Sequence, residues 1–381
     1  MATFVAIGAE RIRVPAAVLL VALGAVAGSI VHVRPPFAFG PALFFVFLPP
    51  LVFEAAWNVD LRALARVPGR VALLAGPGTV VSALCVAALV WKTGALPFGA
   101  ALVLGAIVSA TDPVAVVALF RTAAVPGAIA TLVEAESLAN DGVAVVLYGI
   151  ALTLAEGRAF ALAPALVHGV EAIAFGIALG VACAVGFWWA LRSASAAEHE
   201  VTATIALAYI AYLLADRLAF SGIFATAASA VALRSLLQRA PHMDNRDDVD
   251  RFWTSLAFLA NATIFLATGL LINVPRALHE PVLVIAAVIA LALVRAVLAL
   301  IVAREMRSRV TIFLAGMRGA LPLALALALP HTLPYRFAIV DGVFAVVLIT
   351  LVLQGASLGP ILSRFYGKQL APPQASAAPN L

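Results

Sequence analysis

The sequence predicts an all-α protein that crosses a membrane many times. Of its 381 residues, 64% are hydrophobic and only 11% are charged, and the mean hydropathy is +1.09. Soluble domains carry about 25% charged residues, so this chain could not cover a surface that faces water. In addition, apolar segments of about 20 residues, the length with which a helix crosses a bilayer, recur along the chain.

About twelve apolar segments follow one another without an intervening soluble domain, and we expect each of them to form a transmembrane helix. Residues 1–366 should then form a single transmembrane unit, followed by a short disordered cytoplasmic tail at 367–381. The segments lie roughly at 13–33, 38–57, 70–91, 97–120, 127–155, 163–191, 201–216, 218–238, 252–274, 281–303, 308–330 and 336–363.

The loops on the two sides of the membrane differ in charge. Sixteen of the 24 lysines and arginines lie on the side that holds both termini, and six lie on the other side. Because basic loops stay in the cytoplasm, we expect both termini there, in a multi-pass protein of the cell (inner) membrane. The net charge of +5 then reflects orientation and not nucleic-acid binding. The two cysteines lie in apolar stretches without zinc or disulfide spacing, and we expect no cofactor.

Two segments carry helix-breaking residues at mid-membrane depth. The fourth contains SATDPVAV, where Pro113 removes a backbone N–H and pushes Asp112 away from helical geometry. The eleventh contains GMRGALP, which places two glycines and a proline around Arg318. Irregular backbone at this depth occurs only inside protein or beside a wet cavity, and paired interruptions in the two halves favour inverted repeats around a transport site. Two benign kinks are the alternative.

Four ionisable residues lie deep within the predicted segments. Each costs about 2.5 kcal/mol or more at the bilayer centre, so each calls for a reason. Glu136 and Arg318 are the natural ion pair, because neither could stay charged alone in a dry core. Asp141 is then left without a cation of its own. The four residues are Asp112, Glu136, Asp141 and Arg318.

A buried carboxylate without a partner must hold a proton or a small hard cation. Asn140 lies beside Asp141, and Ser137 lies one helical turn before it. Together with free carbonyls at the Thr111-Asp112 break, these oxygens suit Na⁺ or Li⁺. A site that takes either H⁺ or Na⁺, but never both, would couple the two fluxes by mass action. K⁺ stays open as an alternative, because oxygen ligands alone do not set the size of a cavity.

Six sequence motifs follow one another over about residues 12–330. They are LPPLVFEAAWNVDLRAL, SATDPVAVVALF, ESLANDGVAVVLYG, FSGIFATAASAV, FLANATIFLATGLLI and GMRGALPLALAL. This set resembles the cation:proton antiporter superfamily, specifically its electroneutral Na⁺/H⁺ exchanger branch. The resemblance implies a secondary antiporter that works in pH and sodium homeostasis and forms a homodimer.

The resemblance also implies a place for each site residue. The acid and the arginine of the ion pair, Glu136 and Arg318, would hold the two halves of the core together. Thr111 and Asp112 would line the site from a crossed, unwound helix, and Asp112 would bind Na⁺ together with Asp141. The ion-binding residues by this resemblance are Asp141, Asn140, Asp112, Thr111 and Ser137.

We expect a core of about 70–155 and 281–363 that moves against a scaffold of about 12–57 and 163–274 in alternating access. Asn140 before the acid resembles the one-for-one exchangers, whereas relatives with two acids here are typically electrogenic. The two breaks fall out of register by one helix, so we expect the N-terminal helix of the family, which belongs to the dimerisation side, to be missing.

Weaker signals and other function classes remain open. For Glu54 we favour a helix-packing function over ion coordination. Arg295 either pairs within the core or extends towards the cytoplasmic end of its helix. An intramembrane aspartyl protease would also need two membrane acids, here Asp112 and Asp141. That class carries Gly-x-Gly-Asp where this chain has Leu-Ala-Asn-Asp, so we expect no enzyme. A passive cation channel is the other rival.

Overall fold

A computed structural model describes residues 16–31, 41–112, 116, 119–120, 123–157, 161–191, 197–238, 246–271 and 280–367. All regular structure in these ranges is helical. The described helices are α1 (Ala16–Val31), α2 (Pro41–Trp57), α3 (Leu61–Leu64), α4 (Pro68–Lys92), α5 (Phe98–Ser109), α6 (Gly127–Ala155), α7 (Leu162–Leu191), α8 (Ala197–Arg217), α9 (Gly222–Leu237), α10 (Arg246–Leu271), α11 (Pro281–Val302), α12 (Met306–Leu314), α13 (Ala320–Leu327) and α14 (Arg336–Tyr366).

The helices confirm the predicted all-α, polytopic fold. Each of the twelve predicted segments overlaps with at least one described helix, and α6 has the predicted bounds, 127–155. Among the described residues, α4, α6, α7, α10, α11 and α14 are each long and apolar enough to cross a membrane, whereas α1, α2, α5 and α9 are apolar but shorter. Most of the predicted tail lies outside the described residues.

The helices pack as two sets. In one set α1 lies along α10, and α7 and α8 lie along α9, with α2 packed against α9 and α10. In the other set α4 and α5 lie along each other, and α6, α11, α13 and α14 pack around them. The sets meet where α6 contacts α9 and α2, and where α13 contacts α2 and α10.

Glycine lets helices within the first set approach at backbone distance. A Cβ atom on Gly24 of α1 would lie 2.9 Å from the Cα atom of Gly269 on α10. A Cβ atom on Gly180 of α7 would lie 3.0 Å from the Cα atom of Ala225 on α9. Helices in a membrane gain little from hydrophobic burial, so close packing at small residues is what holds such pairs together.

Two helices are interrupted, as the sequence predicts. The first interruption follows α5, where Ala110 has the extended angles φ −63° and ψ 143°; the predicted cause, Pro113, lies outside the described residues. The second separates α12 from α13 and ends at Gly319. A third irregularity was not predicted: residues Leu74–Gly78 form a π-helical turn within α4. This turn contains Pro77, which cannot donate a helical hydrogen bond.

Candidate ion-binding site

The two interrupted helices cross each other. The backbone N–H of Asp112, just after α5, donates to the carbonyl of Met317 between α12 and α13, at 2.9 Å. The Asp112 side chain occupies the space beside Gly319, so that a Cβ atom at position 319 would overlap with its carboxyl group. The crossing therefore joins the first half of the chain to the second through a backbone hydrogen bond and a glycine contact.

A hydrogen-bonded cluster attaches α6 to the unwound end of α5. The side-chain amide of Asn140 donates to Thr111 Oγ1 at 2.7 Å, and its carbonyl accepts from the Thr111 backbone N–H at 3.3 Å. Ser137 donates its hydroxyl to the Thr111 backbone carbonyl, and the two hydroxyl oxygens are 3.2 Å apart. All three residues are buried. The structure thus brings three of the five predicted ion-binding residues into one contact network.

Asp141 lies at the edge of this cluster. The residue as a whole is half-buried. Its Oδ1 atom, however, is buried and has no hydrogen-bond partner among the described residues. Asp112 and Arg318 are the charged groups whose electrostatic field acts on the Asp141 carboxyl group. A buried acceptor without a partner is costly in a folded protein, which makes it a candidate for binding a proton or a cation.

Glu136 makes its ion pair with Arg295 and not with Arg318, which corrects the sequence prediction. Both terminal nitrogens of Arg295 contact the Glu136 carboxylate, one to each oxygen, and the Nη2–Oε2 distance is 3.0 Å. The side chains are 7% and 3% exposed. Arg295 Nε also donates to the carbonyl of Ile312 at 2.9 Å. The pair joins α6 to α11 and to the end of α12.

Arg318 binds backbone instead. Its Nη1 atom lies 3.3 Å from the carbonyl oxygen of Ser109 and 3.2 Å from that of Ala110, at the interrupted end of α5. The last carbonyls of a helix lack intrahelical donors and carry partial negative charge, so a guanidinium group is stabilised there without a carboxylate. Its Nε atom is buried and has no partner among the described residues.

Asn140 and Thr111 also line a small polar cavity. Thr79 and Ser82 of α4, next to the π-helical turn, form part of its wall, and the Glu136–Arg295 pair and Arg318 form another part. The volume of this cavity that the centre of a water molecule can occupy is about 10 Å³, close to the minimum for holding a single water. Sequence reasoning missed the two α4 residues; the helix-breaking run Gly76-Pro77-Gly78 beside them was the available signal.

The remaining predictions for single residues have different outcomes. Arg295 was left open between pairing and reaching towards the cytoplasmic end, and the structure shows pairing. Glu54 accepts a hydrogen bond from the side chain of Asn58, just after α2, at 2.8 Å, and its packing function stays a prediction. Among the described residues, no group of three or more histidines, cysteines and acids could hold a resident metal ion.

Comparison with known proteins gives the fold and the family. The solved structure of the sodium proton antiporter MjNhaP1 from Methanocaldococcus jannaschii matches with a TM-score of 0.79 at 22% identity, over 93% of this chain and 96% of that chain. The antiporter ApNhaP of Aphanothece halophytica, named as a Na⁺/H⁺ antiporter, is 33% identical over 84% of this chain and 64% of its own length. The low-affinity Na⁺/H⁺ antiporter NhaS1 of Synechocystis is 32% identical over 81% and 62%.

This chain therefore spans less than two thirds of the length of either relative. The family model described as "Sodium/hydrogen exchanger, transmembrane" matches residues 1–364, which is nearly the whole sequence. Proteins of this family are transporters and not enzymes, and they use no cofactor. The chain belongs to the transmembrane sodium/hydrogen exchanger family.

Proposed function

We propose that this protein is a secondary antiporter that exchanges Na⁺ for H⁺ at Asp141. The observation that carries the proposal is the buried Oδ1 atom of Asp141, which has no hydrogen-bond partner in the part of the chain that the structure describes. The neighbouring side chains of Asn140, Thr111 and Ser137 are hydrogen-bonded to one another. They can turn lone pairs towards a cation without a large rearrangement, and oxygen ligands of this kind suit Na⁺ or Li⁺.

The charges around the site support a one-for-one, electroneutral exchange. Glu136 and Arg295 neutralise each other. With Asp112 and Asp141 ionised and Arg318 protonated, the remaining charged groups would carry two negative charges and one positive charge. One monovalent cation, either H⁺ or Na⁺, brings this group to zero net charge. Since both loaded forms then carry the same charge, the exchange of one ion for the other moves no net charge across the membrane.

We further propose that transport is alternating access of a core against a scaffold. The core would consist of α4–α6 and α11–α14, and the scaffold of α1, α2 and α7–α10. The packing of the helices into two sets supports this division. The excess of basic residues on one side supports a multi-pass protein of the inner membrane with both termini in the cytoplasm. A homodimer, formed through the scaffold, is proposed from the family resemblance alone.

The names of the two relatives favour Na⁺, whereas the site chemistry leaves K⁺ as the alternative. The test is a flux assay in proteoliposomes that contain a pH-sensitive dye. Salts of Na⁺, Li⁺ and K⁺ are added separately, with and without an imposed voltage of either sign. We expect Na⁺ and Li⁺ to alkalinise a lumen of lower pH at a rate that voltage does not change. Cation uptake without proton movement would indicate a channel, and a response to K⁺ alone would exclude the Na⁺ assignment.

A further inference from the structure

The residue after the candidate ion-binding acid is Gly142, and an aromatic ring from the other helix set covers it. A Cβ atom at position 142 would lie 2.7 Å from Cδ2 and 2.9 Å from Cζ of Phe224, and it would overlap with the nearer Cε2 atom. Gly142 lies within α6 and is not among the glycines with positive φ. The helix conformation therefore does not require glycine here; the close approach of the ring does.

Backbone contacts attach the residues around Phe224 to the scaffold set. Phe224 lies in the first turn of α9, where its backbone N–H donates to the capping Ser221 side chain at 3.4 Å. The backbone N–H of Ser221 in turn donates to the carbonyl of Ala172 in α7, at 2.9 Å. At the next residue of α9, the backbone of Ala225 lies against Gly180 of α7. The start of α9 is thus attached to α7 on both sides of Phe224.

A second contact between α6 and the scaffold set also pairs a glycine with an apolar side chain, but here the glycine lies on the scaffold and the side chain on α6. One turn after Gly142, the side chain of Val146 contacts Gly169 of α7, and a Cβ atom at position 169 would lie 2.9 Å from Val146 Cγ1. Both contacts set an apolar side chain on a glycine across the boundary between the two helix sets. Such contacts consist of dispersion attraction without hydrogen bonds, so sliding one surface over the other breaks no directional interaction.

We propose that Phe224 is a barrier fixed on the scaffold that covers the ion-binding site, and that Gly142 slides away from its ring when the core moves. The inference rests on the proposed exchange at Asp141, since a barrier has a function only where an ion passes. With the ring on Gly142, the neighbouring carboxylate is closed towards α9. Movement of α6 along α9 takes Asp141 past the ring and opens the site on one side.

The first test is a pair of substitutions that should compensate each other. In Gly142→Ala the added methyl group meets the ring, so we expect exchange in proteoliposomes to fall severalfold and the melting temperature of the purified protein to fall. In Gly142→Ala combined with Phe224→Ala the obstacle is gone, and exchange should recover relative to Gly142→Ala. A purely structural contact predicts the same recovery, because removal of the ring also relieves the overlap, so the labelling experiment below separates the two explanations.

The second test does not depend on transport. In a variant without Cys85 and Cys183, Val145→Cys adds a thiol one turn after Asp141, and its labelling by a water-soluble methanethiosulfonate is measured in membranes. Phe224→Ala should raise the labelling rate severalfold. The control is Phe175→Ala, which removes a ring of equal size that stacks on Phe220 and is 53% exposed; it should leave the rate unchanged.

The barrier is supported only if labelling rises and the double variant recovers exchange, and any other combination overturns it. If the wild type exchanges Na⁺ for H⁺ but Phe224→Ala does not change the labelling rate, the barrier is refuted and the proposed exchange still stands. If the wild type shows no cation-coupled proton flux, the proposed exchange fails, and the labelling rates still decide whether the ring shields this position.

Discussion

Glu136 and Arg295 form a buried ion pair with two parallel contacts, and this pair ties the helix of the candidate ion-binding acid to α11. Arg295 lies in the middle of an otherwise apolar helix. Each member is therefore the reason that the other can remain charged in the membrane. The pair does not include Asp141, so the proposed exchange at that carboxylate would leave this contact in place.

Removal of one member of the pair should damage the fold. In Glu136→Gln or Arg295→Met a charge stays buried without its partner, which costs about 3–5 kcal/mol. We expect a large loss of thermal stability in detergent for each variant. The double variant Glu136→Met/Arg295→Met should be more stable than either single one, because neither charge of the pair is left buried without its partner. A double variant that is as unstable as the sum of the two would contradict the pairing.

Substitution of the candidate ion-binding acid should abolish transport and keep the fold. Asp141→Asn preserves the size of the side chain but removes the charge that H⁺ and Na⁺ would share. Cation-driven proton flux should fall to the level of protein-free liposomes, while the elution profile and the melting temperature stay close to those of the wild type. If this variant exchanged at the normal rate, the site assignment would be wrong.

Competition between the two ions predicts how pH changes transport. As pH falls on the side where Na⁺ binds, the carboxylate is protonated for more of the time, and more Na⁺ is needed to displace the proton. The apparent KM for Na⁺ should therefore rise with falling pH, by up to about tenfold per pH unit, while the rate at saturating Na⁺ on that side is retained. Initial rates at several Na⁺ concentrations and pH values check this; a KM independent of pH contradicts a shared site.

The hydroxyl group of Thr111 should matter for ion affinity. Thr111→Val removes the acceptor for the Asn140 amide and leaves a buried donor unpaired, which costs about 1–3 kcal/mol. We expect a higher KM for Na⁺ together with a moderate loss of stability. Thr111→Ser, which keeps the hydroxyl group, is the matched control and should stay close to the wild type in both measurements. Equal behaviour of the two variants would show that the hydroxyl group is unimportant.

The crossing should depend on a glycine at position 319. In Gly319→Ala the new methyl group would overlap with the Asp112 side chain, so the crossing must separate. We expect loss of exchange and a lower melting temperature. Gly149→Ala is the control: this glycine lies inside α6, and apart from its own helix backbone no atom of the described residues lies within 4 Å of an added Cβ. Because alanine favours a helix by about 1 kcal/mol over glycine, the control should be neutral or slightly stabilised.

The amino-acid sequence alone determined the helices, their two interruptions and the position of the acid Asp141 within an apolar segment. These features follow from local hydropathy, from the effect of glycine and proline on a helix, and from the cost of a charge in a bilayer. The bounds of α6 show how far this goes: hydropathy alone predicts 127–155, which the structure confirms. Each of these properties can be evaluated along the chain without knowing which helices are neighbours.

Only the tertiary structure decided which groups contact each other. Glu136 had two arginines available in apolar segments, and hydropathy cannot tell which one faces it, because that depends on how each helix is rotated and on where it crosses α6. The same limit explains why Thr79, Ser82 and the contact of Phe224 with Gly142 were not predicted. A side chain's depth in the membrane follows from its sequence position, whereas its partner follows from the rotation and crossing angle of two packed helices.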